Sequence, residues 1–197
     1  QVFSVDSPRD DQITLSYGET QLSIWNNTAI QQNTQPGQTA TLSPGLLGYE
    51  WDSSPDNGFM PSSLISLSST TLQVQTQLLD YGNTTGPGTA THHLVEFRNP
   101  VSGALVFGAG TVYWSFGLSD QHDVVGGALP PVDPNVQQAM VNEFAAMGVQ
   151  PQTLQASLVL AQAAVAHPAP TSTITSLSTL TPVEGHSVTV TGTAHST

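Results

Sequence analysis

The chain has 197 residues, enough for one domain of ordinary size or for one domain with part of another. Its 14 acidic residues face two basic ones, Arg9 and Arg98, for a net charge of −12, which excludes a nucleic-acid-binding surface and attraction to an anionic membrane, since both need clustered Lys and Arg. Charged residues are only 8% of the chain and Ser and Thr number 45, so hydroxyls and amides must solvate the surface, while the absence of cysteine excludes disulfides, thiolate metal sites and a cysteine nucleophile.

Hydrophobic residues make up 38%, with Trp25, Trp51 and Trp114 among them, which is the composition of a folding chain. There is neither an apolar run of the ~18 residues a membrane span requires nor a basic-then-apolar leader pattern at the start. In chain order, Gln12–Leu15 and Gln21–Trp25 alternate as short strands. Turn-rich stretches follow at Gln35-Pro36-Gly37 and Ser43-Pro44-Gly45. Leu46 to Asp52 then reads as a short buried strand that ends abruptly in Glu50 and Asp52. Leu64–Leu67 and Leu72–Leu78 alternate again, and a glycine-rich loop, Tyr81–Gly88, leads into Thr89–Arg98.

The run His93–Arg98, the turn residues Asn99 to Gly103 and the run Ala104–Phe107 predict a β-hairpin. Gly108-Ala109-Gly110 points to a close backbone approach before Thr111–Phe116 continues extended. Asp133-Pro134 supplies an N-cap and a first-turn proline for a helix closed by Gly148, with Val136, Met140, Phe144 and Met147 on one stripe. A second, Ala-rich helix is expected from Pro151 to about Ala166, followed by the linker His167–Pro170. From Thr171 the chain is Ser/Thr-rich, and Ser187–Gly192 alternates as a strand. So short a β segment buries no core of its own, so it reads as the opening of a further β domain and the chain as part of a larger polypeptide.

An ordered series of motifs resembles one family. It runs through Leu47-Gly48-Tyr49-Glu50-Trp51-Asp52, Asp56-Asn57-Gly58-Phe59-Met60-Pro61, Asp80-Tyr81-Gly82-Asn83, Gly88-Thr89-Ala90-Thr91-His92-His93-Leu94 and Gly103 to Val112. It continues through Trp114, His122-Asp123 and the helix bearing Gln137-Gln138-Ala139. The resemblance, over about residues 10–155, is to the C-terminal domain of the N,N-dimethylformamidase large (beta) subunit, in the version found in very large secreted bacterial proteins. It implies an α/β fold: residues 1–155 as the later part of a class I glutamine-amidotransferase-like domain, with its hairpin and C-terminal helices. Residues 156–170 would be the helix end and linker. Residues 171–197 are similar to the start of a bacterial immunoglobulin-like β-sandwich.

The chemistry that the resemblance implies is amide hydrolysis at an iron held by two tyrosines and a glutamate, and Glu50 is the local match for that glutamate. The two tyrosines of that set would lie in the earlier part of the domain, ahead of Gln1, and neither Tyr49 nor Tyr81 matches one of them. Glu50 is thus a candidate catalytic residue and metal ligand, expected at a strand end in one cleft with His93 or the loop of Asp120 to Asp123. Glu50 and Asp52 read equally well as structural hydrogen-bond acceptors. His92 and His93, adjacent in an extended segment, point to opposite faces, so only one of them, His93, is carried as a catalytic candidate. His122 and Asp123, with Asp120 nearby, form a loose candidate metal cluster that reads also as ordinary loop polarity. No Gly-x-Ser-x-Gly elbow or phosphate-binding glycine loop is present. Asn26-Asn27-Thr28 and Asn83-Thr84-Thr85 fit the glycosylation pattern, and the aromatic residues could form a carbohydrate platform or simply pack the core.

Two functional readings follow. One is a structural, adhesive or assembly segment of an extracellular or cell-surface protein, with the rest of its polypeptide, sister chains or carbohydrate as partners. The other is an iron-dependent amidohydrolase related to dimethylformamidase.

Overall fold

The computed structural model describes residues 11–48, 50–54, 58–121, 131–162, 171–181 and 183–195. The chain divides into two compact units, Gln1–Ala163 and Ala164–Thr197. Among the described residues, helices accompany several small sheets whose strand pairings are all antiparallel, a mixed α/β architecture.

In the first unit β1 (Thr14–Ser16) runs directly into α1 (Tyr17–Thr20). Ser16 makes the switch by a capping box: its backbone N–H donates to Glu19 Oε2 at 2.6 Å and its hydroxyl accepts from the Glu19 N–H at 3.4 Å. The strand expected over Gln21–Trp25 is instead a turn and a 3-10 helix, Ser23–Trp25. Ile24 and Trp25 are both buried, and a strand cannot send neighbouring side chains to one face. After α2 (Ala29–Asn33) the chain returns as β2 (Thr39–Thr41), antiparallel to β1.

β3 (Leu64–Ser66), β6 (Val95–Arg98) and β7 (Leu105–Gly108) form one sheet in the order β3-β6-β7, and β6–β7 is the hairpin that the turn residues predict. β4 (Thr70–Leu79) and β5 (Thr84–His92) make a long ribbon. Its turn is Asp80-Tyr81-Gly82, all at positive φ, so the expected loop over Tyr81–Gly88 is shorter and Gly86 to Gly88 lie inside β5. The register shifts between Val74 and Gln77 opposite this stretch, where Pro87 has no N–H to offer the ladder. A Cβ at Gly88 would collide with the Gln77 side chain, which fills the space the glycine leaves.

Thr111–Phe116, expected extended, is largely the 3-10 helix Val112–Gly117, which again buries two neighbours, Tyr113 and Trp114. α3 (Pro134–Ala146) begins where Asp133 caps it, one carboxylate oxygen accepting from the Asn135 N–H at 2.8 Å and the other from the Ser43 N–H at 2.7 Å. The buried face of α3 differs from the expected stripe: Phe144 and Met147 are exposed, while Gln138, Asn142 and Glu143 are buried beside Val136 and Ala139. Asn142 Nδ2 donates to the carbonyls of Ile24 at 2.7 Å and Asn26 at 2.8 Å, which satisfies both hydrogens of the buried amide. Residues 151–162 are not helical. Gln138 takes both the N–H (2.8 Å) and the carbonyl (2.9 Å) of Val159, holding that backbone open against α3. Residues 163–166 of the expected second helix lie outside the described residues. The core gathers Ile13, Leu15, Trp25, Leu46, Leu94 and Val136.

The second unit is a ribbon of β8 (Thr171–Leu177) and β9 (Val190–His195), antiparallel with a register shift between Ile174 and Ser176. The sequence places its latter strand at Ser187–Gly192, three residues early. Every residue of β8 is exposed.

Candidate functional site: the His93 cleft

The described residues of 46–52 form no continuous strand. Leu46 and Leu47 are buried as expected, but the segment is laced to two other parts of the chain one bridge at a time. The Thr111 hydroxyl accepts from the Gly48 N–H at 3.1 Å and lies 2.9 Å from the Leu46 carbonyl. The Tyr113 N–H donates to the Gly48 carbonyl, the Val112 N–H to the Glu50 carbonyl, and the Asp52 N–H to the Gly110 carbonyl at 2.8 Å. Trp51 bridges Thr111 and Ser53 bridges His92. This lacing sets the residues around 50 against the end of β5 and the turn after β7.

His92 is fully buried. Its Nε2 lies 2.8 Å from the Ala109 carbonyl, which only accepts, so the proton is on Nε2. Trp51 meets its ring edge-on, centroids 5.9 Å apart. Gly110, at φ 61°, is required here: a Cβ would stand 3.1 Å from His92 Nε2. Burial pushes the His92 pKa down to about 4, against the Ala109 hydrogen bond, which raises it, and with a smaller lowering by the neighbouring His93. His92 is therefore a neutral structural tie at neutral pH.

His93, pointing the other way as alternation requires, is half-buried and lines a cleft of about 510 Å³. Asp52, Ser53 and Ser54 supply the remaining side-chain polarity of this cleft, and Phe59 and Met60 its apolar rim. Phe59 is 89% exposed. His93 Nδ1 is buried and has no hydrogen-bond partner. A hollow of similar size, about 570 Å³, lies by α2 and β2, but Asn33, Thr34, Gln38 and Thr39 give it only neutral groups, so of these two hollows the His93 cleft is the one lined by acidic and imidazole side chains.

Glu50, in a bend and half-buried, is not among the residues that line this cleft. The carboxylate beside His93 is that of Asp52, which the sequence marks only as a structural acceptor. The link is the Ser53–His92 bridge, which no local pattern announces. Asp120 is exposed, its Oδ1 accepting from Gln121 at 3.1 Å. His122 and Asp123 lie outside the described residues, as does Tyr49.

Among the described residues no three His, Asp or Glu side chains converge on a point that could hold a metal. Tyr81 stands fully exposed at the β4–β5 tip, and Tyr113 is buried in a stack on Phe116. Neither of these two tyrosines, nor Glu50, lines the His93 cleft. Trp25, Trp51 and Trp114 are core residues and form no exposed platform.

No curated protein and no solved structure matches the chain. The family model described as N,N-dimethylformamidase beta subunit-like, C-terminal matches residues 3–125, which contain the His92–His93 pair, the Glu50–Asp52 segment and the β6–β7 hairpin. With more than half of its length matched, the chain belongs to the N,N-dimethylformamidase beta subunit-like, C-terminal family.

Proposed function

We propose that the chain is a structural or assembly segment of a secreted or cell-surface multidomain bacterial protein, partnered by the rest of its polypeptide or by sister chains. The observation that carries this reading is how the buried polar side chains are used. Asp133, Gln138, Asn142 and His92 each bond to distant backbone and so cross-tie the fold. Glu50 and Asp120, by contrast, do not line the cleft that His93 lines. The lysine-free, hydroxyl-rich composition suits an exposed setting where proteases and acid select against lysine. In this reading residues 1–155 are the later part of a glutamine-amidotransferase-like domain, and the β8–β9 ribbon opens an immunoglobulin-like module. Carbohydrate is the small-molecule partner that Tyr81, exposed beside Asn83 and Thr84, would stack against. Fractionation of the producing cell together with iron analysis of the full chain tests the proposal. Surface location with sub-stoichiometric iron is the expected result, and a cytoplasmic chain carrying one iron overturns it.

The His93 cleft favours a second reading, amide hydrolysis. A half-buried imidazole and a carboxylate beneath an apolar rim can bind a small neutral amide and move a proton at its nitrogen. Glu50 would belong to the metal set in that case, with His122 and Asp123 as further candidate ligands. Amide turnover that His93→Gln abolishes, with iron lost from Glu50→Gln, establishes this reading. Turnover unaffected by either substitution removes it.

A further inference from the structure

The turn of the β6–β7 hairpin fixes which backbone groups of β7 point away from β6. The Asn99 N–H donates to the Ala104 carbonyl and the Gly103 N–H to the Asn99 carbonyl, each at 2.8 Å, with Gly103 at φ 73°, the pattern of a glycine bulge that opens an antiparallel ladder. Alternating from there, Val106 and Gly108 turn their N–H and carbonyl groups to Phe97 and Val95, so those of Leu105 and Phe107 point outward. Leu94, whose carbonyl accepts from the Leu67 N–H at 2.8 Å, faces β3 and keeps the same phase along β6. β7 is an edge of its sheet, and among the described residues no strand pairs with its outer side. At the opposite edge the Leu64 N–H is already taken by the Pro61 carbonyl at 3.0 Å. The β7 edge has none of the usual guards, since Leu105-Val106-Phe107-Gly108 holds no charge and no proline. Phe107 packs on Trp114, ring centroids 5.4 Å apart, which makes its side of the sheet the inner one. The outer side carries Leu64, Phe97 and Val106 in one cross-strand row, with Val106 52% exposed.

We propose that the β7 edge is where a second copy of this chain docks, the two β7 strands pairing antiparallel about a twofold axis at Val106. In that register Leu105 stands opposite Phe107 of the second copy and Phe107 opposite Leu105. These are the residues whose N–H and carbonyl groups point outward, so every outward group of both strands finds a partner. Residues directly opposite share a face, so the apolar row runs on from one sheet into the other, Leu64, Phe97 and Val106 meeting Val106, Phe97 and Leu64. Charge favours a copy over a foreign strand. A foreign strand drawn to so acidic a chain would be basic, and the β7 edge offers it no carboxylate, Glu96 lying on the inner side with Phe107. Two chains of net charge −12 can meet along an uncharged edge without setting carboxylates against each other. Val95, on the outer side with Phe97, lines the His93 cleft together with Gly108, so a twofold axis perpendicular to the sheet puts both clefts on one side of the pair. The pairing deepens the assembly reading, on which it rests, by naming its sister chain; mass and cross-linking read the contact, whereas cell location and iron read the role.

Sedimentation of the full chain and single-cysteine cross-linking test it. A short edge makes a weak pair, so the average mass is expected to rise from 20.6 kDa toward twice that value as concentration goes from about 10 µM to about 1 mM. The rise should be larger in about 0.5 M salt, which screens the repulsion between the acidic chains. Leu105→Pro removes an outward N–H and no bond to β6, and Val106→Lys sets like charges face to face on the axis while lowering the net charge, so both should stay monomeric. Val106→Lys changes an exposed side chain and serves if Leu105→Pro fails to fold. Because the chain has no cysteine, Val106→Cys reports the register. It should form a disulfide-linked dimer roughly tenfold or more faster than Val101→Cys in the hairpin turn, where Val101 is 95% exposed. A wild-type mass that stays at 20.6 kDa up to about 1 mM overturns the pairing. Dimers that survive Val106→Lys overturn it as well, as do equal cross-linking rates at the two cysteine positions.

Discussion

The two long ribbons, β4–β5 and β8–β9, share a local code and differ in almost everything else. Both are two-stranded, antiparallel, rich in threonine and broken by one register shift. The first buries Thr70, Val74, Gln77, Ala90 and His92, whereas no residue of β8 is buried. The difference comes from what the chain brings to each ribbon. Thr70 Oγ1 accepts from the Thr14 N–H at 2.8 Å, the Ser68 hydroxyl from the Leu94 N–H at 2.9 Å, and Ser53 bridges His92. Hydroxyls of the second ribbon bond locally, as Ser178 does to the Thr189 N–H. Alternation makes a ribbon, and contacts from elsewhere turn one face of it into core.

The comparison breaks most visibly at the base of the first ribbon. Leu94→Ala removes a fully buried side chain and should cost about 2–5 kcal/mol in urea unfolding. Asn142→Ala leaves two backbone carbonyls without their donor, with about 1–3 kcal/mol expected for each buried group left unsatisfied. A silent Asn142→Ala would mean that water replaces the amide and that the cross-tie is not structural.

The pH dependence sharpens the contrast, because two buried titrating groups of the first unit act in opposite directions. His92, lowered from 6.5 to about 4, contributes stability that is complete above pH 6.5 and is lost as pH falls toward 4, where the unfolded chain binds the proton more readily. Glu143, raised from 4.5 to about 8, contributes stability that is complete below pH 4.5 and is lost as pH rises toward 8. Between 4.5 and 6.5 the two slopes oppose, each at most about 1.4 kcal/mol per pH unit. The melting temperature should therefore show a plateau there and fall on either side. Glu143→Gln should remove the alkaline limb and leave the acid one. A wild-type profile still rising from pH 6.5 to 8 would contradict the Glu143 assignment.

Capping and turn chemistry were legible in the sequence wherever they are local. Asp133-Pro134 and Gly148 bracket α3, and Asn99 to Gly103 give the β6–β7 turn. The buried face of α3 was not legible. Gln138 and Asn142 are held inside by Val159, Ile24 and Asn26, Glu143 is buried with them, and hydropathy periodicity counts such residues as solvent-facing. Pairs of buried neighbours, Ile24-Trp25 and Tyr113-Trp114, read as strand for want of any rule that both must face inward. For the site, alternation separated His92 from His93, but Asp52 reaches the cleft through a bridge between residues 53 and 92, a long-range pairing that spacing does not encode.

The smallest effect sets the limit of the comparison. Val74 on the first ribbon is 2% exposed and Ile174 on the second is 67% exposed, both β-branched residues in similar Thr-rich strands. Threonine keeps the β-branch and the strand propensity, so Val74→Thr and Ile174→Thr isolate the worth of apolar burial at each site. A hydroxyl placed where Val74 sits gives up apolar burial and needs a partner, at about 1–3 kcal/mol. At Ile174 most of the side chain is already in water, and the change should stay within about 0.5 kcal/mol. Unfolding by urea measures the former, and exchange protection of the Thr173 and Thr193 amides measures the latter. A loss at Ile174→Thr as large as at Val74→Thr would mean that the apolar face of β8–β9 is covered in solution, making the second ribbon a packed surface like the first.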